Sequence, residues 1–189
     1  MQFAYHTSKV SGVAFADDFT GFGIFTSPSD PRTAIQDQGP GDFDLRHRLT
    51  FTGVWEPRLR NLTGVANKLV NGWSISSRVI GQTGFSFNAT TGRDENGDTI
   101  FNDRPLALGY NAFKLPEYAT VDLRLSRKLK VREKGELELV GEGFNLANRL
   151  NPTAINRVFR FGATANANFR QVTSAENARQ FQLAIRYSF

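Results

Sequence analysis

Phe181-Gln-Leu-Ala-Ile-Arg-Tyr-Ser-Phe189 alternates without a break. In an extended strand Phe181, Leu183, Ile185, Tyr187 and Phe189 share one face, while Gln182, Arg186 and Ser188 share the other. A run of large apolar groups along one strand face needs a covering layer, and a bilayer supplies one. The stretch therefore predicts a strand of an outer-membrane β-barrel.

Working outward, the same period recurs along the chain. Phe3 and Tyr5 oppose Gln2, Ala4 and His6. From Asp42 to Trp55, the residues Phe43, Leu45, His47, Leu49, Phe51, Gly53 and Trp55 oppose Asp42, Asp44, Arg46, Arg48, Thr50 and Thr52. Trp73 to Phe87 sets Trp73, Ile75, Val79, Phe85 and Phe87 against Ser74, Ser76, Arg78, Gln82 and Ser86. Ala119 to Leu129 sets Val121, Leu123, Leu125 and Leu129 against Thr120, Asp122, Arg124, Ser126 and Lys128, with Arg127 intruding on the apolar side. In Glu136 to Gly143, Leu137 and Leu139 oppose Glu136, Glu138 and Glu142. The expected fold is all-β, an antiparallel up-and-down transmembrane barrel segment of about six long strands.

The connections alternate in length. Segments 11–41, 89–117 and 149–177 are long, and 56–72 and 130–135 are shorter. Long extracellular loops and short periplasmic turns would produce this pattern and place both chain ends on the periplasmic side. Loops of this length are uncommon inside a compact soluble domain. Trp55, Trp73, Phe85, Phe87, Tyr187 and Phe189, near strand ends, fit aromatic girdles at the membrane interfaces.

Composition agrees. The chain has 189 residues, 40% of them hydrophobic, and no cysteine. Disulfides and thiolate metal sites are excluded. No apolar run approaches the roughly 20 residues of a spanning helix, so membrane crossing is expected by strands. The net charge of +5 is dispersed among both signs, which argues against nucleic acid as a partner. The opening Met1-Gln-Phe-Ala-Tyr-His-Thr-Ser-Lys9 has no secretory leader and reads as a strand already under way, so a mature form or a fragment is expected.

Several stretches, taken in order, resemble the C-terminal part of a TonB-dependent outer-membrane receptor of the Oar-like type. They are Tyr5-His-Thr-Ser-Lys9 with Asp17-Asp18, Asp42-Phe-Asp-Leu-Arg-His-Arg-Leu49, Gly72-Trp73 and Gln82-Thr-Gly84. Asn102-Asp-Arg-Pro105, Asp122 with Ser126 and Lys128, Glu142-Gly-Phe-Asn-Leu-Ala-Asn148 and the closing strand complete the set. The resemblance implies a barrel of about 22 strands around a plug. Residues 1–189 would form its C-terminal part, without the plug and the N-terminal strands.

The implied function is energy-coupled uptake of a bulky solute across the outer membrane of a Gram-negative-type bacterium. Implied partners are outer-membrane lipid, the plug and remaining strands, the TonB energy-coupling system and the barrel-assembly machinery. Phe181, Leu183, Ile185, Tyr187 and Phe189 resemble that machinery's assembly signal. Because six strands leave two unpaired edges, insertion alone is not expected. The alternative is a small self-contained β-barrel or sandwich binding a ligand or partner through loops 89–117 and 149–177.

Catalysis is not expected. His6 and His47 are the only histidines, and neither adjoins a nucleophile with an orienting third group. No organic cofactor is indicated. Calcium is the one candidate ion, because Asp94, Asn96, Asp98 and Asn102 would offer side-chain oxygens and Ile100 its carbonyl. The match is partial, with Thr99 where a calcium loop of the helix-flanked type has glycine and Pro105 in place of its bidentate glutamate. A polar extracellular turn explains the same residues. The mixed charges of the polar face suit cross-strand pairing and plug contact, and Asn145 and Asn148 are placed to bond loop backbone. The transported solute is not written in these patterns.

Overall fold

The computed structural model describes residues 1–13, 38–61, 63–95, 97, 99, 101, 103–105, 108–131, 135–161 and 164–189. Its main feature is one antiparallel sheet in which chain neighbours are sheet neighbours. The strands are β1 (Gln2–Thr7), β2 (His47–Trp55), β3 (Trp73–Gln82), β4 (Tyr118–Val131), β5 (Gly135–Phe144) and β6 (Gln180–Ser188). The sheet is an open meander with β1 and β6 at its edges. β2 to β6 span 9, 10, 14, 10 and 9 residues, close to or beyond the ~9–11 that a tilted strand needs to cross a bilayer.

Register carries the alternation from strand to strand. Phe3 opposes Phe51, Phe51 opposes Val79 and Val79 opposes Val121. Further along, Trp55, Ile75, Leu125, Gly141 and Leu183 form one row across five strands. The other face repeats the order in polar residues, with Ser76, Arg124, Glu142 and Gln182 in one row. A one-residue slip of any strand would exchange the faces, so the hydrophobic pattern itself sets the register.

Two predicted strands are shorter than their alternation. β2 begins at His47 because the chain before it turns: the Asp44 N–H donates to the Gly41 carbonyl at 2.9 Å, and the Asp44 carboxylate accepts the Val10 N–H at 2.9 Å. Asp42 and Asp44 therefore leave the polar sheet face on which the alternation placed them. β3 ends at Gln82, and Ser86–Phe87 pairs separately with Phe113–Lys114. Phe87, expected in an interfacial girdle, is instead 2% exposed within the loops.

Above the sheet the described parts of the long connections form a crown. Ser11–Val13 pairs with Gln38–Pro40, Pro152–Ile155 with Val172–Ala175, and Arg160–Phe161 with Thr164–Ala165. Asn111 joins the first two loops: its N–H goes to Asn88 Oδ1 at 2.6 Å, and its Nδ2 to the Pro40 carbonyl at 2.9 Å and to Asp42 Oδ1 at 2.7 Å. The second and third loops share an aromatic cluster. Phe113 stacks near Phe87 with centroids 5.7 Å apart and meets Phe169 edge-on at 5.1 Å, and Phe169 meets Phe159 at 5.1 Å. Burying a phenylalanine such as Phe87 contributes about 1.5–3 kcal/mol, and each favourable ring pair adds ~0.5–1.5 kcal/mol.

At the other end of the sheet, the connection from β2 to β3 contains a short helix, α1 (Gly64–Val70), that the strand pattern did not foretell. Asn71 clips this connection by accepting the Leu59 N–H at 2.9 Å and donating to the Leu59 carbonyl at 3.1 Å. Among the described residues no helix is long and apolar enough to cross a membrane.

Candidate functional site

The polar face of β3 to β6 carries a ladder of charges, each placed by the two-residue strand period. Arg78 lies opposite Asp122, and its Nη2 and Nε reach one oxygen, Oδ2, at 2.9 and 3.1 Å. Arg124 donates to Glu142 at 2.9 Å and lies 3.5 Å from Glu138, which Arg186 approaches to 3.7 Å from β6. Lys128 closes the ladder on Glu136 at 2.8 Å. Exposed pairs of this kind contribute only ~0–1 kcal/mol each. Their chief effect is to present a wet, charged wall on the side away from the apolar face.

Asp122 links this wall to the crown. Its Oδ1 accepts the Asn145 N–H at 3.0 Å and the Thr120 hydroxyl at 3.1 Å, while Oδ2 holds Arg78. Asn145 and Asn148 adopt left-handed backbone, with φ of 48° and 49°, which asparagine tolerates better than most residues. The turn that follows β5 is then fastened to the segment before β6. Asn145 Nδ2 donates to the carbonyls of Arg149 and Asn177 at 3.0 and 3.1 Å, and Asn148 Oδ1 accepts the Arg179 N–H at 3.0 Å. Both asparagines bond loop backbone, as their position at the strand end suggested.

Asn151 ties the third loop to the sheet by two hydrogen bonds. It is 2% exposed and reads the main chain of Ala119 as a paired strand would, accepting its N–H at 3.0 Å and donating to its carbonyl at 2.9 Å. Beside it, under the crown, lie two adjoining clefts. One, of about 300 Å3, is lined by Arg78, Asp122, Asn145, Asn151, Asn177 and Gln180. The other, of about 350 Å3, adds Arg48, Gln82, Phe85 and Thr153, and Tyr118 and Glu176 border both. Arginine, carboxylate and amide groups converge in the first, whereas Ile80, Phe85, Leu115, Pro116 and Pro152 make the second mainly apolar, so together they suit a ligand with both polar and apolar parts. A third cleft of about 490 Å3, lined by Glu56, Arg58, Trp73, Arg124, Lys128 and Glu138, lies at the opposite end of the same face.

Asp44 is wholly buried at the base of the first loop. The Val10 N–H holds its pKa below the ordinary carboxylate value; burial acts in the opposite sense, and Arg46 at 3.0 Å and the charge of Lys114 reinforce the lowering. It works as a fixed anionic staple between the start of the first loop and its return.

Asp94 uses both carboxylate oxygens on its own loop, accepting the Gly97 and Thr99 N–H groups at 2.7 and 2.8 Å. Asn96, Asp98, Ile100 and Asn102, the other candidate calcium ligands, lie outside the described residues. Among the described residues no cluster of three or more acidic or histidine side chains could hold a metal. His47 faces Tyr5 across β1 and β2, with Nδ1 2.8 Å from the phenol oxygen. Phe181, Leu183, Ile185, Tyr187 and Phe189 all lie exposed along the apolar face or at its end, Leu183 at 87%. Arg127, the charge that broke the apolar pattern, covers the ring of its cross-strand neighbour Trp73 at 4.9 Å.

Long strands with one apolar exposed face and one charged face, long loops at one end and short connections at the other, define a membrane-spanning β-barrel wall. The match to a family model agrees: the outer membrane beta barrel domain matches residues 1–110, and the chain belongs to that family. Its place is the outer membrane of a Gram-negative-type bacterium. No curated protein and no solved structure matches it.

Proposed function

We propose that the chain is the C-terminal wall segment of a TonB-dependent receptor of the Oar-like type, acting in energy-coupled uptake of a bulky solute. The observation that carries this reading is the pair of adjoining clefts beneath the crown, one polar and one mainly apolar, on the charged face of the wall. A solute captured by the loops would meet Arg48, Arg78, Tyr118 and Glu176 before moving along the charge ladder. The plug would pack against that ladder, and the remaining barrel strands would pair with the open edges of β1 and β6. Those open edges argue against a small self-contained β-barrel, which would close on itself, and the uncovered apolar face argues against a sandwich. The chemistry is binding and transport, with no step of bond making or breaking.

The reading is tested by uptake in cells carrying the intact receptor gene. Solute accumulation should stop when the inner-membrane proton gradient is collapsed, while surface binding persists. Accumulation that continues without the gradient would refute energy coupling.

Two smaller assignments accompany it. The segment containing Asp94, Asn96, Asp98, Ile100 and Asn102 offers hard oxygens to calcium, while the Asp94 hydrogen bonds also suit a plain polar turn. Calorimetric titration with calcium distinguishes the two: binding heat lost in Asp98→Asn supports the ion, and absence of heat assigns the segment to the turn. The Phe181-to-Phe189 alternation serves as the signal for the barrel-assembly machinery, so deleting Phe189 should reduce the inserted fraction more than Ser188→Ala does.

A further inference from the structure

Near the extracellular rim of the apolar face, register places two small residues side by side. Tyr5 opposes Leu49, Leu49 opposes Gly81 and Gly81 opposes Ala119. The next row toward the membrane centre, Phe3, Phe51, Val79 and Val121, is bulky throughout. The volume missing at Gly81 and Ala119 leaves a groove of about 260 Å3 walled by Tyr5 and Leu49, and a Cβ added at Gly81 would meet nothing within 4 Å. The groove is narrower than the ~300–1,000 Å3 of ordinary small-molecule sites and opens toward hydrocarbon. An acyl chain fits that description better than a polar solute.

The upper end of the groove is polar. His47, Thr83, Glu117 and Arg149 border it, and the Tyr5–His47 hydrogen bond at 2.8 Å fixes one side. Arg149 is held by its main chain, whose N–H donates to Asn145 Oδ1 at 3.1 Å, and its Nη2 donates to the Glu117 carbonyl at 3.2 Å. That side-chain bond uses one of the five N–H donors of a guanidinium. An arginine fork at the polar end of an apolar groove suits phosphate oxygens. The Glu117 carboxylate, on the same rim, repels an anion and so favours the Arg149 side.

We propose that this groove binds a phosphorylated glycolipid of the outer leaflet. One acyl chain lies against Gly81 and Ala119, and a headgroup phosphate engages Arg149. The site lies on the face opposite the solute clefts and is independent of what the receptor transports.

The experiment is native mass spectrometry of the intact outer-membrane protein, delipidated in mild detergent and placed in phosphatidylcholine nanodiscs containing bis-phosphorylated or dephosphorylated hexa-acyl lipid A. The bis-phosphorylated lipid should give a retained adduct. Loss of a charge-assisted hydrogen bond in Arg149→Gln should weaken it about tenfold. Filling the seat with Gly81→Leu should weaken it too, Glu117→Gln should strengthen it, and Arg58→Gln, at the opposite end of the wall, should leave it unchanged. Gel heat-modifiability checks that each variant is folded, and Arg149→Gln, an exposed change, carries the test if Gly81→Leu misfolds. The proposal is overturned by equal retention of dephosphorylated lipid, by indifference to Arg149→Gln, by a fall with Glu117→Gln, or by full displacement with inorganic phosphate.

Discussion

The sheet and the crown above it solve opposite burial problems with the same chain. In β1 to β6 most large apolar groups share one face, exposed or half-buried, while charged residues pair on the other side. In the crown the order is that of a water-soluble protein: Leu45, Phe87, Ala89, Tyr110 and Ile155 are buried, and among the described residues Val140 is the one buried hydrophobic residue of the sheet. The largest fully buried side chains among the described residues, Asn151, Thr91 and Asp44, are polar and belong to the crown. A wall that receives lipid as its covering layer needs no core of its own, whereas loops standing in water must build one. Because irregular backbone has many unpaired groups, the crown's core is largely amide and carboxylate.

If the outer face meets lipid, a charge placed at its centre should do the greatest damage. Leu183→Arg is expected to cost about 2–4 kcal/mol of stability in the bilayer, read by denaturant titration of the vesicle-inserted protein. An effect near zero would mean that the face is not at bilayer depth. The crown should be broken differently. Asn151→Ala leaves the Ala119 N–H and carbonyl without their buried partner, at a cost of about 1–3 kcal/mol. Hydrogen exchange should show it as faster exchange at Ala119 and in the third loop, with the β5–β6 pairing unchanged. Equal loss of protection across the sheet would remove the distinction between the two regions.

Acid should loosen the crown at Asp44, though more weakly than either substitution. The Asp44 pKa is lower in the folded protein than its ordinary value of 3.8, so its contribution is complete above that value and is lost as pH falls through the lower folded pKa. The effect is partial, because a protonated carboxyl retains one oxygen able to accept the Val10 N–H. Proteolysis between Val10 and Asp44 by an acid-active protease should rise over that window in the native chain and be independent of pH in Asp44→Asn. A flat profile in the native protein would show that the staple does not hold the first loop.

The wall was largely legible in the sequence and the crown was not, for a reason of distance. Strand faces follow from residues two apart, so Phe181, Leu183, Ile185 and Tyr187 declare their face within one short stretch. The six strands appear in the expected order. The ties of the crown join residues far apart, as when Asn111 reaches Asp42 across 69 positions, and no local period marks them. Asp42, Asp44 and Phe87 show how local alternation misleads: each continues a strand pattern, yet long-range hydrogen bonds or aromatic packing draw it into the loops. Arg127 is the converse case. It breaks the pattern locally, and its distant cross-strand partner Trp73 gives it an aromatic ring to cover. The clefts were legible only as a polar face, since Glu176 and Asn177 reach them from a loop.

The smallest effect expected is on the charge ladder, and it tests what the polar face is for. Arg186 is largely exposed and its nearest oxygen on Glu138 is 3.7 Å away. Removing it in Arg186→Ala should change stability by less than about 1 kcal/mol, and by less still at high salt. Glu138 keeps Arg124 as a partner at 3.5 Å, so the loss strands no buried charge. The ladder is uneven: Arg78–Asp122, Arg124–Glu142 and Lys128–Glu136 close at 2.8–2.9 Å, whereas the Arg186 pair is long, exposed and redundant with Arg124. Its Arg186 end therefore has the most freedom to exchange partners. A double-mutant cycle between Arg186 and Glu138 can separate the uses: a coupling above about 1 kcal/mol would assign the pair to structure, whereas a negligible coupling with altered solute uptake would assign it to the transport path.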